Sequence, residues 1–162
     1  TTLEDPFAEK LVLELIPENL KHVKPVGRLD KNTEGLLLLT NDGNIAHKLT
    51  HPSFHIDKIY LVEIKGVLRN EDKEHLEKGV VFEGRKSAAC KIFDIKKDKD
   101  RTTLRIAIHE GRKRQVREMF GALKYPVVFL KREQQGPLKV GSLKPGEFRL
   151  LTASEITVLK NL

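Results

Sequence analysis

"GRLDKNTEGLLLLTNDG", residues 27–43, places an arginine and an aspartate, Arg28 and Asp30, just ahead of four consecutive leucines. A short apolar run that is closed by Asn-Asp-Gly is typical of a buried strand ending in a turn. Charged side chains at the entrance of a buried strand need a partner or a task, because burying them unpaired is costly. The stretch therefore predicts a core strand with a charged loop in front of it.

The composition predicts one globular domain. The chain has 162 residues, of which 39% are apolar and 33% are charged, with no low-complexity segment and no apolar stretch near the ~18 residues of a membrane span. The N-terminus lacks the basic start and apolar stretch of a signal peptide. The one cysteine, Cys90, excludes an internal disulfide and any cysteine-rich metal site, so we interpret it as a small buried hydrophobe and expect a cytoplasmic protein.

The charge balance favours a polyanionic partner, since the net charge is +7 and the pI is about 9.5. Residues 112–117, "RKRQVR", hold four of the 30 basic residues within six positions. Cations beside the exposed amides of a helix start can bind phosphate. The alternative is a solvated charged turn that Glu110 balances.

Periodicity predicts an α+β protein with a mostly antiparallel sheet, because strands outnumber helices and paired strands follow one another along the chain. We expect a strand over 58–67 with a register shift and with Ile59, Leu61, Ile64 and Val67 as its apolar positions. The remaining predicted strands are 36–39, the hairpin 88–97 with 102–110, and 126–133. The predicted helices are 5–16, 44–51, 71–80 after an Asn70 cap, 112–125, and 153–162 with a Thr152–Glu155 capping box.

Arg117 differs from the other basic residues of its helix. At 100° per residue it lies beside the apolar stripe of Val116, Met119 and Phe120. A guanidinium at the border of a core stripe needs a partner, and a carboxylate is its best geometric match. The pattern of residues does not tell which carboxylate that is.

Two other constellations carry little weight. His47, His51 and His55 have the spacing of helical metal ligands, but a proline between them prevents one helix from carrying all three. Asp30 and Glu34 could form an acid pair for glycoside chemistry. That chemistry needs two converging carboxyl groups, which a turning segment does not supply.

Four segments, in order, resemble a known family. "PVGRLDKNTEGLLLLTNDG" (25–43) resembles the aspartate motif of pseudouridine synthases, and it is closest to the ribosomal RNA group of the RsuA/RluB type. "DKIYLVEIKG" (57–66) is similar to that family's Lys-x-Tyr-x-Val motif, and "IHEGRKRQVREMF" (108–120) to its Glu-Gly-Arg-x-x-Gln-Val-Arg motif. "LKREQQGPLKVGSLKPGEFRLLT" (130–152) is similar to its C-terminal signature. The resemblance covers nearly the whole chain.

The resemblance implies a fold and a domain organisation. We expect the pseudouridine synthase fold, an α+β arrangement with a mixed, mostly antiparallel sheet, flanking helices and a central catalytic cleft. Residues 1–162 would be one catalytic domain. Family members usually begin with a small RNA-binding domain and then a Lys-Pro-containing strand, and this chain starts after both. One departure is Glu118, where the family usually has a second arginine.

The resemblance also implies a chemistry, the isomerisation of uridine to pseudouridine in ribosomal RNA, more of the 23S than of the 16S type. Asp30 would attack the sugar or promote a glycal-type intermediate, and the sequence does not choose between these routes. Arg117 would pair with Asp30 and keep it ionised, and Tyr60 would stack on the detached uracil and help to remove the C5 proton. Leu36 to Leu39 would form a rigid floor behind the loop. We expect no cofactor, no metal and a monomer.

The target uridine lies stacked in structured RNA and must be flipped into the cleft, which phosphate contacts would favour. The candidates for these contacts are Arg28, Lys58, Arg112, Lys113 and Arg114. The alternative is an RNA-binding module of the same fold that has lost catalysis.

Overall fold

The computed structural model describes residues 12–162, which are built around one central sheet. The strands are β1 (Lys24–Pro25), β2 (Glu34–Gly35), β3 (Leu39–Thr40), β4 (Lys58–Lys65), β5 (Val81–Phe82), β6 (Arg85–Lys86), β7 (Lys91–Lys97), β8 (Arg101–Ile108), β9 (Val127–Gln135) and β10 (Leu138–Lys139). The α-helices are α1 (Gly43–Thr50), α2 (Asn70–Lys78), α3 (Gln115–Ala122) and α4 (Ala153–Lys160), and three 3₁₀ turns span Val12–Leu15, Glu18–Leu20 and Pro52–Phe54.

The sheet has the order β10-β9-β4-β8-β7, with β2 added to β9. The β2–β9 pair is parallel, and the other paired strands among residues 12–162 are antiparallel. The register of β4 on β9 shifts between Ile59 and Tyr60 and again between Glu63 and Ile64. The predicted α+β class, the mixed sheet and the register shift in β4 are therefore confirmed.

The main core lies between α3 and one face of the sheet. Val116, Met119 and Phe120 of α3 are buried against a sheet face that includes Val62 and Leu104, as the stripe predicts. The apolar positions proposed for β4 were mostly wrong. Val62 and Ile64 face the core, whereas Val67 follows the strand and is exposed. Apolar residues occupy both faces of β4, so a period of two cannot choose between them.

A second core cluster contains two residues of the leucine run, Leu36 and Leu38, which are buried with Val26, Leu49 and Leu138. The single strand predicted here is wrong in detail. The segment forms two short strands because its parts pair with different partners: β2 pairs with β9, and β3 pairs with β1. The leucine run thereby connects the central sheet to a separate two-stranded ribbon.

Several element ends differ from the predictions. The helix predicted over 5–16 lies mostly outside the described residues, and its end, Val12–Leu15, is a 3₁₀ turn. Asn70 is not the cap of α2, since that position belongs to Arg69, which makes no capping bond. α3 begins only at Gln115, because Arg114 has a left-handed backbone with φ of 51° that stops the helix from starting earlier.

Other local predictions are confirmed. β7 and β8 form the antiparallel hairpin, α1 follows the leucine run, and Thr152 and Glu155 make the reciprocal capping box of α4. Within residues 12–162, no helix has the length and apolar character needed to cross a membrane.

Candidate active site

The Asp30 loop enters the sheet through a tight turn. The Thr33 amide donates to the Asp30 carbonyl oxygen at 2.9 Å, and the loop then continues into β2. Just beyond β2, the Leu36 amide donates to the carbonyl oxygen of Arg132 on β9 at 2.7 Å. The half-buried Asp30 is therefore held at the end of a segment that is fixed to the central sheet.

Gly35 allows this attachment. Its φ is +105°, and a Cβ built on it would lie 2.2 Å from the carbonyl oxygen of Arg132. An approach this close to backbone leaves no room for any side chain. The glycine between the charged loop and the leucine run is therefore required by the packing of β2 on β9.

Arg117 reaches from α3 to the Asp30 loop. Its Nη2 donates to the carbonyl oxygen of Asn32 at 2.6 Å, and its Nη1 donates to the carbonyl oxygen of Val127 at 2.9 Å. The direct ion pair with the Asp30 carboxylate is not found, since no carboxylate oxygen in residues 12–162 lies within 4.0 Å of this guanidinium. Arg117 instead hydrogen-bonds to the backbone of the turn. Its Nε is buried without a hydrogen-bond partner.

Asp30 nevertheless acts on Arg117 electrostatically. Burial lowers the pKa of the Arg117 guanidinium, and the like charge of Arg114 lowers it further, whereas the opposite charge of Asp30 raises it. The guanidinium stays charged, because even a lowered arginine pKa leaves it protonated near neutral pH. The structure therefore brings residues 30 and 117 together, with the backbone of the turn as the point of direct contact.

Tyr60 lies on the inward face of β4, where it packs, half-buried, against the main core. Its cross-strand neighbours are Ile106 on β8 and Arg132 on β9. On its other side, Arg132 pairs with Gly35 of β2. β9 therefore lies between Tyr60 on β4 and β2, the strand that follows the Asp30 loop.

Lys58 does not fit the predicted role of a phosphate contact, because it is buried with only 7% exposure. Its ammonium donates to the carbonyl oxygens of His109 and Glu110, each at 3.4 Å. Burial lowers its pKa, the nearby charge of Arg132 lowers it further, and Asp57 acts in the opposite direction. Lys58 thus connects β4 to the segment in front of α3.

Arg112 is likewise engaged inside the protein. Its guanidinium donates to the carbonyl oxygens of Arg85 and Phe82 at 3.1 and 3.0 Å, and its carbon Cζ lies 3.7 Å from the centroid of the Phe82 ring. Glu83 adds a long ion pair at 3.8 Å. The hydrogen bonds and the cation–π contact together hold the β5–β6 turn. Arg112 therefore does not fit the predicted role of a phosphate contact.

Gln115 organises the turn before α3. Its Nε2 donates to a carboxylate oxygen of Glu110 at 2.7 Å, and its Oε1 accepts from the Arg112 amide at 3.0 Å. The same Glu110 oxygen accepts from the Ala88 amide. These contacts give Glu110 and Gln115 a structural role in the turn, whereas sequence reasoning had considered Glu110 only as a balancing charge.

Three of the five predicted RNA contacts are exposed: Arg28, Lys113 and Arg114. Lys113 and Arg114 lie in the turn before α3, and Arg28 precedes Asp30. Arg114 Nε lies 3.6 Å from the carboxylate of Glu118, one helical turn away. The residue that departs from the family pattern therefore partly neutralises an exposed cation of the site.

Arg132 was missed by sequence reasoning. It is 3% exposed, and its Nε donates to the carbonyl oxygen of Leu36 at 2.7 Å. One signal was available, because Arg132 stands two positions after Leu130 and so shares the inward face of β9. A cation at an inward position of a strand is rare enough to mark a site.

The remaining candidates have local roles. Among the described residues, no group of three or more His, Cys, Asp or Glu side chains could hold a metal ion. His51 accepts from the Ser53 amide, and His55 lies against His109 with ring centroids 5.0 Å apart. Cys90 is only partly buried, yet burial raises the pKa of its thiol to about 12. A thiol with this pKa is not a nucleophile at neutral pH.

The leucine run forms only part of the rigid floor that was predicted for it. Leu36 and Leu38 are buried, but the run also lines an apolar cavity of about 860 Å³ together with the C-terminal segment near Phe148 and Leu150. Asp30, Tyr60 and Arg117 do not line this cavity. Leu29 and Lys31, on either side of Asp30 in the chain, do line it, so the cavity borders the Asp30 loop.

Comparisons with known proteins agree with the motifs. A family model described as RNA pseudouridylate synthase matches residues 6–122. The ribosomal large subunit pseudouridine synthase B of Bacillus subtilis is 40% identical over 161 residues, which are 98% of this chain and 66% of that protein. An uncharacterized RNA pseudouridine synthase of Aquifex aeolicus is 38% identical over 154 residues, 95% of this chain and 62% of that one.

A solved structure supports the fold. The crystal structure of a pseudouridylate synthase superposes with a TM-score of 0.83 at 33% identity, covering 92% of this chain and 65% of that one. An archaeal box H/ACA sRNP Nop10–Cbf5 complex, at 19% identity and a TM-score of 0.53, shares the fold. The chain thus spans about two thirds of the length of the curated relatives named above.

Proposed function

Because the chain belongs to the RNA pseudouridylate synthase family, we propose that it isomerises a uridine of ribosomal RNA to pseudouridine. In that reaction the bond between C1′ and N1 of the uridine breaks, the uracil turns, and C5 forms a bond to C1′ while it loses its proton. The name of the Bacillus relative supports RNA of the large ribosomal subunit as the substrate.

Asp30 is the reacting group in this proposal. Its carboxylate either attacks C1′ or removes a sugar proton to form a glycal, and both routes need it ionised and held in one place. The Asp30–Thr33 turn and the attachment of β2 to β9 support a fixed position. A carboxylate on a mobile loop would lose the advantage of orientation.

The contact of Arg117 with the Asp30 turn is the observation that carries the proposal. A guanidinium from a helix distant in sequence donates to the backbone two residues beyond the aspartate, and its charge interacts with that of Asp30. Arg117 therefore positions the loop and places a positive charge near the carboxylate on which the reaction depends.

Tyr60 would hold the uracil during its rotation. Its aromatic ring offers a stacking surface for the detached base, and its hydroxyl can accept or pass on the C5 proton. Its place on the rigid β4, in the centre of the sheet, suits a group that must not move with the base.

The exposed cations Arg28, Lys113 and Arg114 would bind phosphates around the flipped uridine. Phosphate contacts supply affinity that does not depend on base sequence, and this can offset the few kcal/mol that flipping a base costs. Because they flank the Asp30 loop and α3 in sequence, these side chains would bring the backbone of the RNA to the site.

Release of tritium tests the proposal. Large-subunit ribosomal RNA carrying 5-tritiated uridine loses its tritium when C5 bonds to C1′. We expect release with the native chain and none with Asp30→Ala, while Asp30→Ala still binds the RNA. The matched control is Asp98→Ala, which changes an exposed aspartate in the β7–β8 turn and should leave release unchanged.

Two outcomes would contradict the proposal. Equal release by the native chain and Asp30→Ala would remove Asp30 from the chemistry. RNA binding without release by the native chain would instead favour a catalytically silent module of the same fold.

A further inference from the structure

Arg132 is buried at a place where a cation is unexpected. It lies on the inward face of β9 beside Tyr60 and is 3% exposed, between residues of the two apolar clusters. Arginine is seldom fully buried without a carboxylate partner. No carboxylate oxygen in the described part of the chain lies within 4.0 Å of its guanidinium. The residue therefore needs a reason other than ion pairing.

The contacts of Arg132 converge on one short segment. Its Nε donates to the Leu36 carbonyl oxygen at 2.7 Å, and its own carbonyl oxygen accepts from the Leu36 amide at the same distance. Gly35 pairs with it in the parallel ladder and packs directly on its backbone. Both polar groups of the Leu36 backbone are thus held by one residue, at the point where the Asp30 loop joins the sheet.

The remaining guanidinium group is not satisfied. Arg132 Nη2 is buried without a hydrogen-bond partner. The charge of Arg132 acts on Lys58, which is also buried and whose ammonium donates to the carbonyl oxygens of His109 and Glu110. Two buried like charges without a directly paired carboxylate reduce stability, and an apolar side chain of similar length would avoid that cost. An arginine at this position is consistent with a positional task more than with stability.

We propose that Arg132 is a positioning residue for the reaction. By holding the Leu36 backbone, it fixes the position of the Asp30 loop relative to Tyr60. This rests on the proposed function, since positioning matters only if Asp30 reacts. Arg117 holds the turn just after Asp30, and Arg132 holds the far end of the same segment. With both ends fixed, the carboxylate keeps its place when the RNA enters.

Hydrogen exchange tests the attachment without any need for activity. In Arg132→Met, the volume is largely kept but the donor to Leu36 is lost, so we expect the Leu36 amide to exchange at least about tenfold faster. The amide of Leu104, in the centre of β8, should be unchanged. The matched control is Arg105→Met, which removes an arginine that bonds to the adjacent Glu133 from the other face of the sheet and should leave Leu36 unaffected.

Single-turnover tritium release tests the consequence. A displacement of the loop by about 1 Å can reduce a rate by roughly 10²-fold. We expect Arg132→Met to lower the rate of the bound complex by about that factor while the Kd for the RNA stays within about threefold. Arg132→Lys keeps the charge but lacks the planar donor, so it should recover little of the rate. The Arg105→Met control should react at the native rate.

Each result decides between the proposals. Native exchange at Leu36 in Arg132→Met, or a native rate despite faster exchange, would overturn the positioning role. So would a loss confined to Kd. If Arg132→Met does not fold, faster exchange at both Leu36 and Leu104 reveals it, and Arg132→Lys then carries both measurements. If the native chain releases no tritium, the proposed function fails, whereas the exchange data still decide whether Arg132 holds the loop.

Discussion

The two faces of the central sheet differ in the partners of their cations. The inner face packs on α3 and the main core, and the outer face is the opposite one. On the outer face, Arg105 bonds to Glu133 at 2.7 Å and to Asp94 at 3.1 Å, and Arg101 bonds to Glu63. The inner face carries the buried cations of Lys58 and Arg132, and the partly buried Arg117 belongs to α3, which packs on that face. These three donate to backbone carbonyl oxygens, and none has a carboxylate oxygen of residues 12–162 within 4.0 Å.

The polar atoms without partners follow the same division. The buried side-chain atoms of the described residues that lack a hydrogen bond are Thr33 Oγ1, Arg117 Nε, Arg132 Nη2 and Gln135 Oε1, and all belong to the Asp30 loop, α3 or the inner end of β9. Each such atom costs about 1–3 kcal/mol. The outer face shows that this chain can pair its cations, so the inner face is better explained by the needs of a site than by stability.

Removal of an inner-face guanidinium should have the largest effect. Arg117→Met removes the donor to Asn32 and the positive charge near Asp30, and loss of a preorganised electrostatic contact lowers a rate by roughly 10²–10³-fold. We expect this in single-turnover tritium release. Arg101→Met, which breaks a solvent-exposed pair on the outer face, should leave the rate unchanged, because exposed ion pairs contribute little to stability. Equal effects of the two changes would remove the distinction between the faces.

Gly35 tests whether the attachment of β2 to the inner face also supports the fold. In Gly35→Ala, the new Cβ would meet the Arg132 backbone, and the positive φ adds strain, so we expect a loss of about 3–4 kcal/mol in denaturant unfolding. Gly84→Ala is the control. Gly84 also has a positive φ, of +71°, but no atom stands within 4 Å of its Cβ position, so about 1–2 kcal/mol should be lost. Similar losses would mean that the contact with Arg132 yields easily.

Lys58 predicts a pH dependence of opposite sign to that of an ordinary ion pair. Its folded pKa is lowered by burial and by Arg132, so between that value and 10.5 the unfolded state binds more protons and stability rises with pH. Lys58→Met should be more stable than the native chain at pH 8 by about 1 kcal/mol, near the low end for replacing a buried charge, because the ammonium is already hydrogen-bonded to two carbonyl oxygens.

The advantage of Lys58→Met should shrink as the pH passes 10.5, where Lys58 is neutral in both states. Urea titrations between pH 8 and 11 measure this difference. A constant difference would show that lost packing, and not the charge, sets the effect, and the burial of a cation on the inner face would then carry no cost.

The sequence predicted the secondary-structure elements better than the contacts around the Asp30 loop. The hairpin of β7 and β8, the stripe of α3 and the cap of α4 follow from local patterns, since each depends on neighbours in the chain. The inner site depends on contacts between distant segments: Arg117 with Asn32, and Arg132 with Leu36. Side-chain donors to backbone carbonyls leave no residue pattern, because any residue supplies the carbonyl. The residue pattern therefore predicted only a carboxylate partner for Arg117, the family resemblance named that partner as Asp30, and Arg132 was overlooked.

The same limitation applies to the RNA candidates. The sequence does not distinguish among the cations Lys58, Arg112 and Arg114. In the structure, Lys58 and Arg112 are hydrogen-bonded within the protein, whereas Arg114 is exposed. The difference arises from the β5–β6 turn and from the segment 109–110, which receive the donors of Arg112 and Lys58. Neither segment carries a signal for accepting a cation.

Glu118 offers the smallest and most selective test, because it is the carboxylate that pairs with an exposed cation of the inner site. Its distance of 3.6 Å to Arg114 equals that between Glu74 and Lys78, a pair of the same helical spacing on α2. Glu118→Gln removes one negative charge from the proposed RNA surface and releases Arg114. We expect RNA affinity to rise about two- to fivefold at low salt, with a slope of log K against log salt that steepens by less than about one phosphate contact.

Glu74→Gln makes the same chemical change on α2, so it should alter the affinity by much less if the RNA binds at α3. Filter binding between 50 and 200 mM salt, roughly the range in which phosphate contacts are most visible, compares the two variants. Equal gains would mean that only net charge matters and that the RNA does not approach α3 in particular. A gain confined to Glu118→Gln would place the phosphates beside Arg114, next to the helix whose Arg117 holds the Asp30 turn, and so would join the binding surface to the reacting carboxylate.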